Sequence, residues 1–443
     1  MTNDNFIVAI NLETSHFQGM IGWKKPDGTL RILARDMEGA RDSMHRGCIM
    51  YNDEAAMCIN RLIRKLGNIA ERNRSLEQRL EIEKVYIGVG GQSLHSVEHA
   101  VAQIISSDSL ITGKELQMLE EQCHANAKDM EEEVFAILPP LYSLDGMPVD
   151  KPLGSRCRQL KASYKLIAGW PLIRTSVEKA VAKAGLKLAG IIVSPVALAD
   201  MALDADEKQS GCILISLGFG ATSVVVYKNG ALMYFAVVPF GHQLITKDLS
   251  EGLNLNDADA EALKNDYAHV AAKKGKASSQ NIEYIIGGRK MDRHKTDMIA
   301  GARAREIIYN VYNLVKTNVP PNTFGGSVKL TGKGAGLKGM DDLVADRFKL
   351  NVSHLSVPGE WDGIAAKSDL ATVGLLMKGT ENCMSFPRVT QEPSPGSSKT
   401  APVKEEEKPI EKDEDNKDKQ VINPLNEKKG FKTRLSDLFK NVE

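Results

Sequence analysis

The sequence predicts an α/β protein of two related halves around a cleft, with an inserted unit, a long polar linker and a terminal amphipathic helix. Three observations carry this expectation. Short apolar strands alternate with helical stretches as far as residue 384. A strand, a small-residue turn and a second strand occur twice, at 6–15 and again at 213–223, as a duplicated unit facing a cleft requires. From Ser385 onward the chain turns to Pro, Gly and Ser, and then to a mixed-charge tract, Lys399–Gln420, with almost no apolar residue.

A chain of 443 residues is long enough for several packed units. With 42% apolar and 26% charged residues it has the composition of a soluble globular protein. Lys plus Arg number 57 and Asp plus Glu number 57, so no overall field draws in nucleic acid and no such partner is expected. The cysteines Cys48, Cys58, Cys123, Cys157, Cys212 and Cys383 include no CxxC pair, which argues for reduced thiols without a disulfide frame or zinc site. Residues 1–10 have no basic segment leading into a long apolar one, and no apolar run approaches the roughly 18 residues of a spanning helix. The expectation is a cytoplasmic protein.

Residues 6–10, 20–23 and 30–34 read as strands, and 54–72 as a helix with Ala56, Ile59, Ile63, Leu66 and Ile69 on one side. Lys84–Val89 reads as a strand again. Two antiparallel strands, 213–227 and 231–238, meet at the hairpin dipeptide Asn229-Gly230. Ser327–Thr331 reads as a strand entering a glycine-rich turn, with a helix at 341–348. Residues 385–427 hold Pro, Gly, Ser and mixed charge; they cannot bury enough to offset ordering entropy, and read as a disordered linker. Such a coil spans roughly 35–40 Å. In 428–443, Phe431, Leu435, Leu438, Phe439 and Val442 form one helical stripe, flanked by Lys428, Lys429, Lys432, Arg434 and Lys440. A basic amphipathic helix on a long tether suits an anionic membrane surface; packing on the body or on a partner is the alternative.

Gly334, Gly336 and Gly339 make a formal GxGxxG between a strand and a helix, but no βαβ unit with a ribose-binding acid follows. The spacing better suits close backbone approach to a nucleotide, with amides at a helix start facing the ligand. In the turn at 218–223, free amides and the Thr222 hydroxyl suit phosphate oxygens. With 11–15 and 331–336 this makes three turns in the order of the actin/Hsp70/sugar-kinase superfamily. His95 and His99 are four apart on a strand, where that spacing forms no ligand pair, and no metal site is expected.

More specific motifs follow. The run Pro239-Phe-Gly-His-Gln-Leu-Ile-Thr-Lys-Asp248 resembles the signature vPvGGxxiTxDia, and Glu251-Gly-Leu253 follows it. Ala260-Glu-Ala-Leu-Lys264 resembles AExlK, and 302–307 resembles an RxxEI helix. Residues 84–91 with Ile111-Thr112, Ile137-Leu-Pro139, Tyr142-Ser-Leu-Asp-Gly146 and Pro152-Leu-Gly154 resemble an inserted subdomain. Over residues 5–380, and again in the terminal helix, the chain is similar to the FtsA family of bacterial cell-division proteins.

The resemblance implies an actin-like two-domain fold. Residues 1–83, 169–193 and 355–384 would form the first core, 84–168 the insert, 194–242 and 326–354 the second core, and 243–325 its outer subdomain. It implies an adenine nucleotide, ATP, at Asn11, Thr14, Ser15, Gly218, Gly220, Thr222, Gly241, Gly332, Gly334 and Ala335, with Glu261 and Lys264 at the nucleoside. It also implies an FtsZ C-terminal tail on 243–325, near Gly287-Gly-Arg289, with Arg289, Lys290 and Arg293 as contacts among further basic residues Lys295, Arg303 and Arg305. Self-association, contact with other division proteins and a peripheral place on the cytoplasmic face of the membrane at midcell complete the picture.

The departures bear on chemistry. Asn11, Ser216 and Ser223 stand where the superfamily places carboxylates, and Glu13 replaces a glycine. Those carboxylates hold hydrated magnesium and position the attacking water, so no catalytic residue is expected and magnesium is poorly provided for. A superfamily kinase would need them. An FtsA-like adaptor of pilus assembly, the other alternative, would lack the terminal helix.

Overall fold

The same strand pattern is built twice. The computed structural model describes residues 5–25, 29–73, 81–106, 110–271, 283–320, 326–356 and 369–385. The expected linker and terminal helix, at 386–443, lie outside the described residues.

The chain opens with a meander of β1 (Asn5–Leu12), β2 (His16–Lys24) and β3 (Leu30–Gly39). A small hairpin of β4 (Met44–His45) and β5 (Cys48–Ile49) leads into α1 (Asn52–Asn73). After β6 (Glu81–Ile82) comes β7 (Lys84–Val89), which runs parallel to β1. The chain then leaves for an inserted unit and returns through α3 (Pro171–Lys183) to β13 (Lys187–Val193), parallel to β7. The first sheet therefore has the order β13-β7-β1-β2-β3.

The inserted unit comprises β8 (His95–Ile104), α2 (Gly113–Lys128), β9 (Glu133–Ile137), β10 (Leu141–Leu144), β11 (Met147–Val149) and β12 (Gln159–Gly169). Its helix packs through Leu119 and Cys123 on a core with Leu160, Tyr164 and Leu166. The sequence boundary of the insert needs correction. Lys84–Val89 pairs with β1 and β13, so it belongs to the first sheet and the insert starts after it. Parallel pairing joins distant segments, which local pattern does not reveal.

Two helices, α4 (Ser194–Ala202) and α5 (Ala205–Ser210), precede the second half. Its meander is β14 (Cys212–Leu217), β15 (Thr222–Lys228) and β16 (Ala231–Val238). Asn229 and Gly230 both have positive φ, 51° and 75°, as a tight hairpin turn requires. An outer group follows: α6 (Gln243–Leu253), α7 (Asp257–Asp266), the hairpin β17 (Glu283–Ile286) and β18 (Arg289–Asp292), and α8 (Arg293–Asn318). Then come β19 (Ser327–Thr331), α9 (Met340–Phe348), β20 (Asn351–His354), α10 (Leu370–Lys378) and β21 (Met384–Ser385). β14, β19 and β20 are parallel, so this half repeats the first strand for strand as β20-β19-β14-β15-β16. A single pairing, Ala236 with His95, joins β16 to β8 and carries the sheet into the insert.

Alternation along β14 and β15 separates two cores. Leu214 and Val225 pack with the first half, while Ile213, Ile215, Val224 and Val226 face the second. On α1 the fully buried residues are Ala55, Cys58, Ile59, Leu62 and Leu66, with Ala56 also buried and Ile63 and Ile69 half-buried at the border. The predicted stripe was thus rotated slightly from the buried one. Helices α4 and α10 pack closely where a Cβ on Gly374 would meet the Ala197 carbonyl oxygen at 2.5 Å.

Candidate functional site

Both meanders turn at the same cleft, of about 480 Å³. Asn11, Thr14 and Ser15 from the first turn, Gly218 and Gly220 from the second, and Gly332 after β19 all line it. Sequence reasoning missed His16, Glu38, His242 and Lys333, which line it too. A lysine inside the glycine-rich turn was the available signal for Lys333, and a histidine in place of the second glycine of the signature was that for His242; nothing local marked His16 or Glu38.

In the first turn Asn11 is almost fully buried. Its Oδ1 accepts from Ser194 Oγ at 2.6 Å and its Nδ2 donates to Glu13 Oε1 at 3.0 Å. Both ends of the amide are therefore committed to neighbours. The Glu13 carboxyl is pushed above the usual carboxylate range by burial in the cleft, against the opposing pull of His16 and Lys333. Ser15 Oγ lies 2.8 Å from His16 Nδ1. Thr14 Oγ1 accepts from the Gly47 amide at 2.8 Å. A Cβ on Gly220 would meet that same oxygen at 2.5 Å, so glycine lets the first two turns touch.

In the second turn the Gly218 amide donates to Ala221 O at 3.0 Å, while Gly218 O and Phe219 O accept from the His242 and Gln243 amides. Thr222 differs from its expected role. It is fully buried, and its hydroxyl donates to Phe240 O at 2.7 Å rather than facing a phosphate. Gly241 packs on the outside of this turn, where a Cβ would meet Phe219 O at 2.0 Å. Gly334 and Ala335 are buried in the 3-10 turn Lys333–Gly336, against Leu217 and the Cβ of His242 in the case of Gly334, and do not line the cleft.

Glu261 and Lys264, expected at a nucleoside, are engaged elsewhere. Lys264 is fully buried, and its ammonium donates to His242 Nδ1 at 2.9 Å, Thr246 Oγ1 at 2.9 Å and Glu261 Oε2 at 2.6 Å. An ammonium has three N–H groups, so none is left over. Glu261 Oε2 also accepts from Thr246 Oγ1, and its Oε1 accepts from Asn265 Nδ2 at 3.1 Å. Burial acts to raise the Glu261 carboxyl, but the hydrogen bonds from Lys264 and Thr246 outweigh it and hold the value at about 2. Burial, reinforced by the Lys264 charge, pulls His242 down to about 4, so the ring is neutral. Because Nδ1 accepts from the ammonium, the ring proton is assigned to Nε2, a buried atom without a partner among the described residues. The ring meets Phe219 edge to face, centroids 5.5 Å apart.

These residues do not fit a magnesium nucleotide held in the superfamily's manner. Asn11, Ser216 and Ser223 bring no charge to the cleft. Glu38 is committed to Arg61 at 2.6 Å and Lys65 at 2.7 Å, and the three hydrogens of the Lys264 ammonium are all taken by protein.

The second candidate surface lies on the outer group. Arg289 Nη1 donates to Asn254 O at 2.9 Å, exposed Lys290 pairs with Glu283 at 2.8 Å, and half-buried Arg293 lies 3.5 Å from Asp297. These three share the β17–β18 hairpin and the start of α8. Arg303 grips Asp248 with two nitrogens at 2.6 and 3.0 Å and is not part of an open basic face. The expected membrane residues Phe431, Lys432, Arg434, Leu435, Leu438, Phe439, Lys440 and Val442 lie outside the described residues.

Comparison with known proteins agrees with this architecture. The family model "Cell division protein FtsA" matches residues 213–373, and "SHS2 domain inserted in FTSA" matches 91–168. The cell division protein FtsA of Porphyromonas gingivalis is 27% identical over 399 residues, covering 87% of this chain and 81% of the relative. That of Bacillus subtilis is 27% identical over 392 residues, covering 86% and 85%. That of Escherichia coli K12 is 22% identical over 395 residues, covering 86% and 92%. Among solved structures, a chain of a PilM-PilN type IV pilus biogenesis complex superposes with a TM-score of 0.59 at 14% identity, covering 85% of this chain and 98% of that one. The repeated five-strand order, the insert between β7 and α3 and the two family models over 91–168 and 213–373 lead to one conclusion: the chain belongs to the FtsA family of cell-division proteins, with an actin-like fold.

Proposed function

We propose that this division protein is a peripheral membrane adaptor that anchors FtsZ filaments to the cytoplasmic face of the cell membrane at midcell. The observation that carries the reading is the terminal segment. Five apolar residues from Phe431 to Val442 fall on one helical stripe with basic flanks, after a polar tract with almost nothing to bury. Among the described residues no helix is long and apolar enough to cross a membrane, in keeping with attachment from one side. The folded body would take the FtsZ tail on its outer group, self-associate, and meet other division proteins. It acts as a scaffold rather than an enzyme, since Asn11, Ser216 and Ser223 supply none of the carboxylates that ATP hydrolysis uses. Flotation with anionic vesicles tests the reading. Full-length protein should rise with the lipid and protein lacking 428–443 should stay below; equal flotation of the two refutes it.

A further inference from the structure

The cleft contains a group that neither the adaptor reading nor the nucleotide expectation uses, the imidazole of His242. In the signature that Pro239–Asp248 resembles, the position after Gly241 is a second glycine. Here a ring grows from it and fills the corner between the second turn and α7. The residue is held at several points, although its Nε2 has no partner among the described residues. Its backbone amide donates to Gly218 O at 3.0 Å, its face or edge meets Phe219, Gly334 packs on its Cβ, and Nδ1 takes the Lys264 ammonium. His242 is 3% exposed and Lys264 0%.

We infer that His242 is the chain's own occupant of the nucleoside corner, and that by capping Lys264 it keeps adenine nucleotides out of the cleft. Sugar hydroxyls would need an oxygen of Glu261 or a hydrogen of Lys264. Every hydrogen of that ammonium is already bonded within the protein, and Glu261 Oε2 accepts twice, from Lys264 and Thr246, which leaves only its Oε1, bonded once to Asn265, with room for a further donor. A ligand that contacts Lys264 would have to take the place of the ring at a fully buried cation, a costly exchange. The phosphate end opposes the same ligand independently. Glu13 projects a carboxyl where the family's turn has glycine, and Thr14 closes on Gly220 across the cleft. Lys333, which could otherwise attract a phosphate, lies close enough to Glu13 to act on its titration. The contact of the two turns at Thr14 and Gly220 is then made by protein groups alone, and an adaptor built this way works without a nucleotide cycle. This rests on the reading of the body as a non-hydrolysing scaffold.

The test uses full-length protein titrated with fluorescent N-methylanthraniloyl ATP and ADP, with magnesium and with chelator. Wild type should show no saturable signal up to about 1 mM, the weak end of specific binding. His242→Gly should bind at least about tenfold more tightly than wild type, a change of about 1.4 kcal/mol. His242→Ser, which keeps an acceptor for Lys264, serves if the glycine variant melts early. Saturable wild-type binding with a Kd below about 1 mM overturns the inference, without reference to any variant. So does a folded His242 variant that gains nothing, or a gain seen only with Glu13→Gly, which would put the determinant at the phosphate end. Vesicle flotation of the wild type without nucleotide is run in parallel. Loss of flotation there refutes the adaptor reading and leaves the binding result standing on its own.

Discussion

Acidification should destabilise the fold through His242, and the size of the effect follows from its surroundings. The residue is 3% exposed, and burial with the Lys264 charge lowers its pKa from 6.5 to about 4. The groups that face it are Lys264 and Glu261 on α7 and Lys333 after β19. The unfolded chain takes up a proton at this ring near pH 6.5, and the folded protein does not until about pH 4. Stability is therefore fully present above the unfolded value and falls as the pH drops through this window. At about 1.4 kcal/mol per pH unit the interval gives a loss on the order of 3 kcal/mol. Glu261 titrates at about 2, so most of the histidine window lies above it. The assay is urea unfolding from pH 7.5 to 4.5 for wild type and for His242→Gln, which cannot titrate. Burial lowers His45 as well, so the difference between the two proteins is the informative quantity. Wild type should lose about 2–3 kcal/mol more than the variant over that range. A difference that stays flat with pH would show that the imidazole is not buried against Lys264.

Lys264→Met should cost about 2–4 kcal/mol, because it strands Glu261 and leaves His242 and Thr246 short of a donor; the lower end reflects the partial exposure of the carboxylate. Urea denaturation at pH 7.5 checks it, and an unchanged midpoint would refute the network. Arg289→Glu with Arg293→Glu should weaken an FtsZ tail peptide by roughly tenfold in fluorescence anisotropy, about 1.4 kcal/mol. Unchanged affinity would move the contact elsewhere. Residues 421–443 on a tetrameric carrier should bind anionic vesicles far more tightly than on a monomeric one, since one short helix is marginal in water and several act through effective concentration. Equal affinity would make the single helix sufficient.

Much of the frame was legible because it is local. The strands Lys84–Val89 and Ser327–Thr331 were read with their full bounds, since each is a short run with Val, Ile or Leu at alternate buried positions. Asn229-Gly230 announced its hairpin through the positive φ both residues adopt. The duplicated turns pointed to a cleft, and the strand order now repeats on either side of it. What escaped was decided by distant contacts. The Thr222 hydroxyl looked free in a phosphate-type turn, but Phe240 O lies beside it only because β15 and β16 pair. The resemblance to the family implies Glu261 and Lys264 at a nucleoside, whereas their partners His242 and Thr246 come from the start of another helix. Lys84–Val89 was placed in the insert because its partners β1 and β13 stand far away in sequence on both sides.

The central claim is that one chain links lipid to FtsZ. The most direct measurement is co-flotation of a labelled FtsZ C-terminal tail peptide with anionic vesicles in the presence of this protein, without nucleotide. The account predicts that the peptide rises only when full-length protein is present, and remains at the bottom with Leu435→Glu plus Phe439→Glu, which places two charges in the terminal apolar stripe. Peptide that floats equally well with that variant, or that stays below while the full-length protein itself floats, would contradict it.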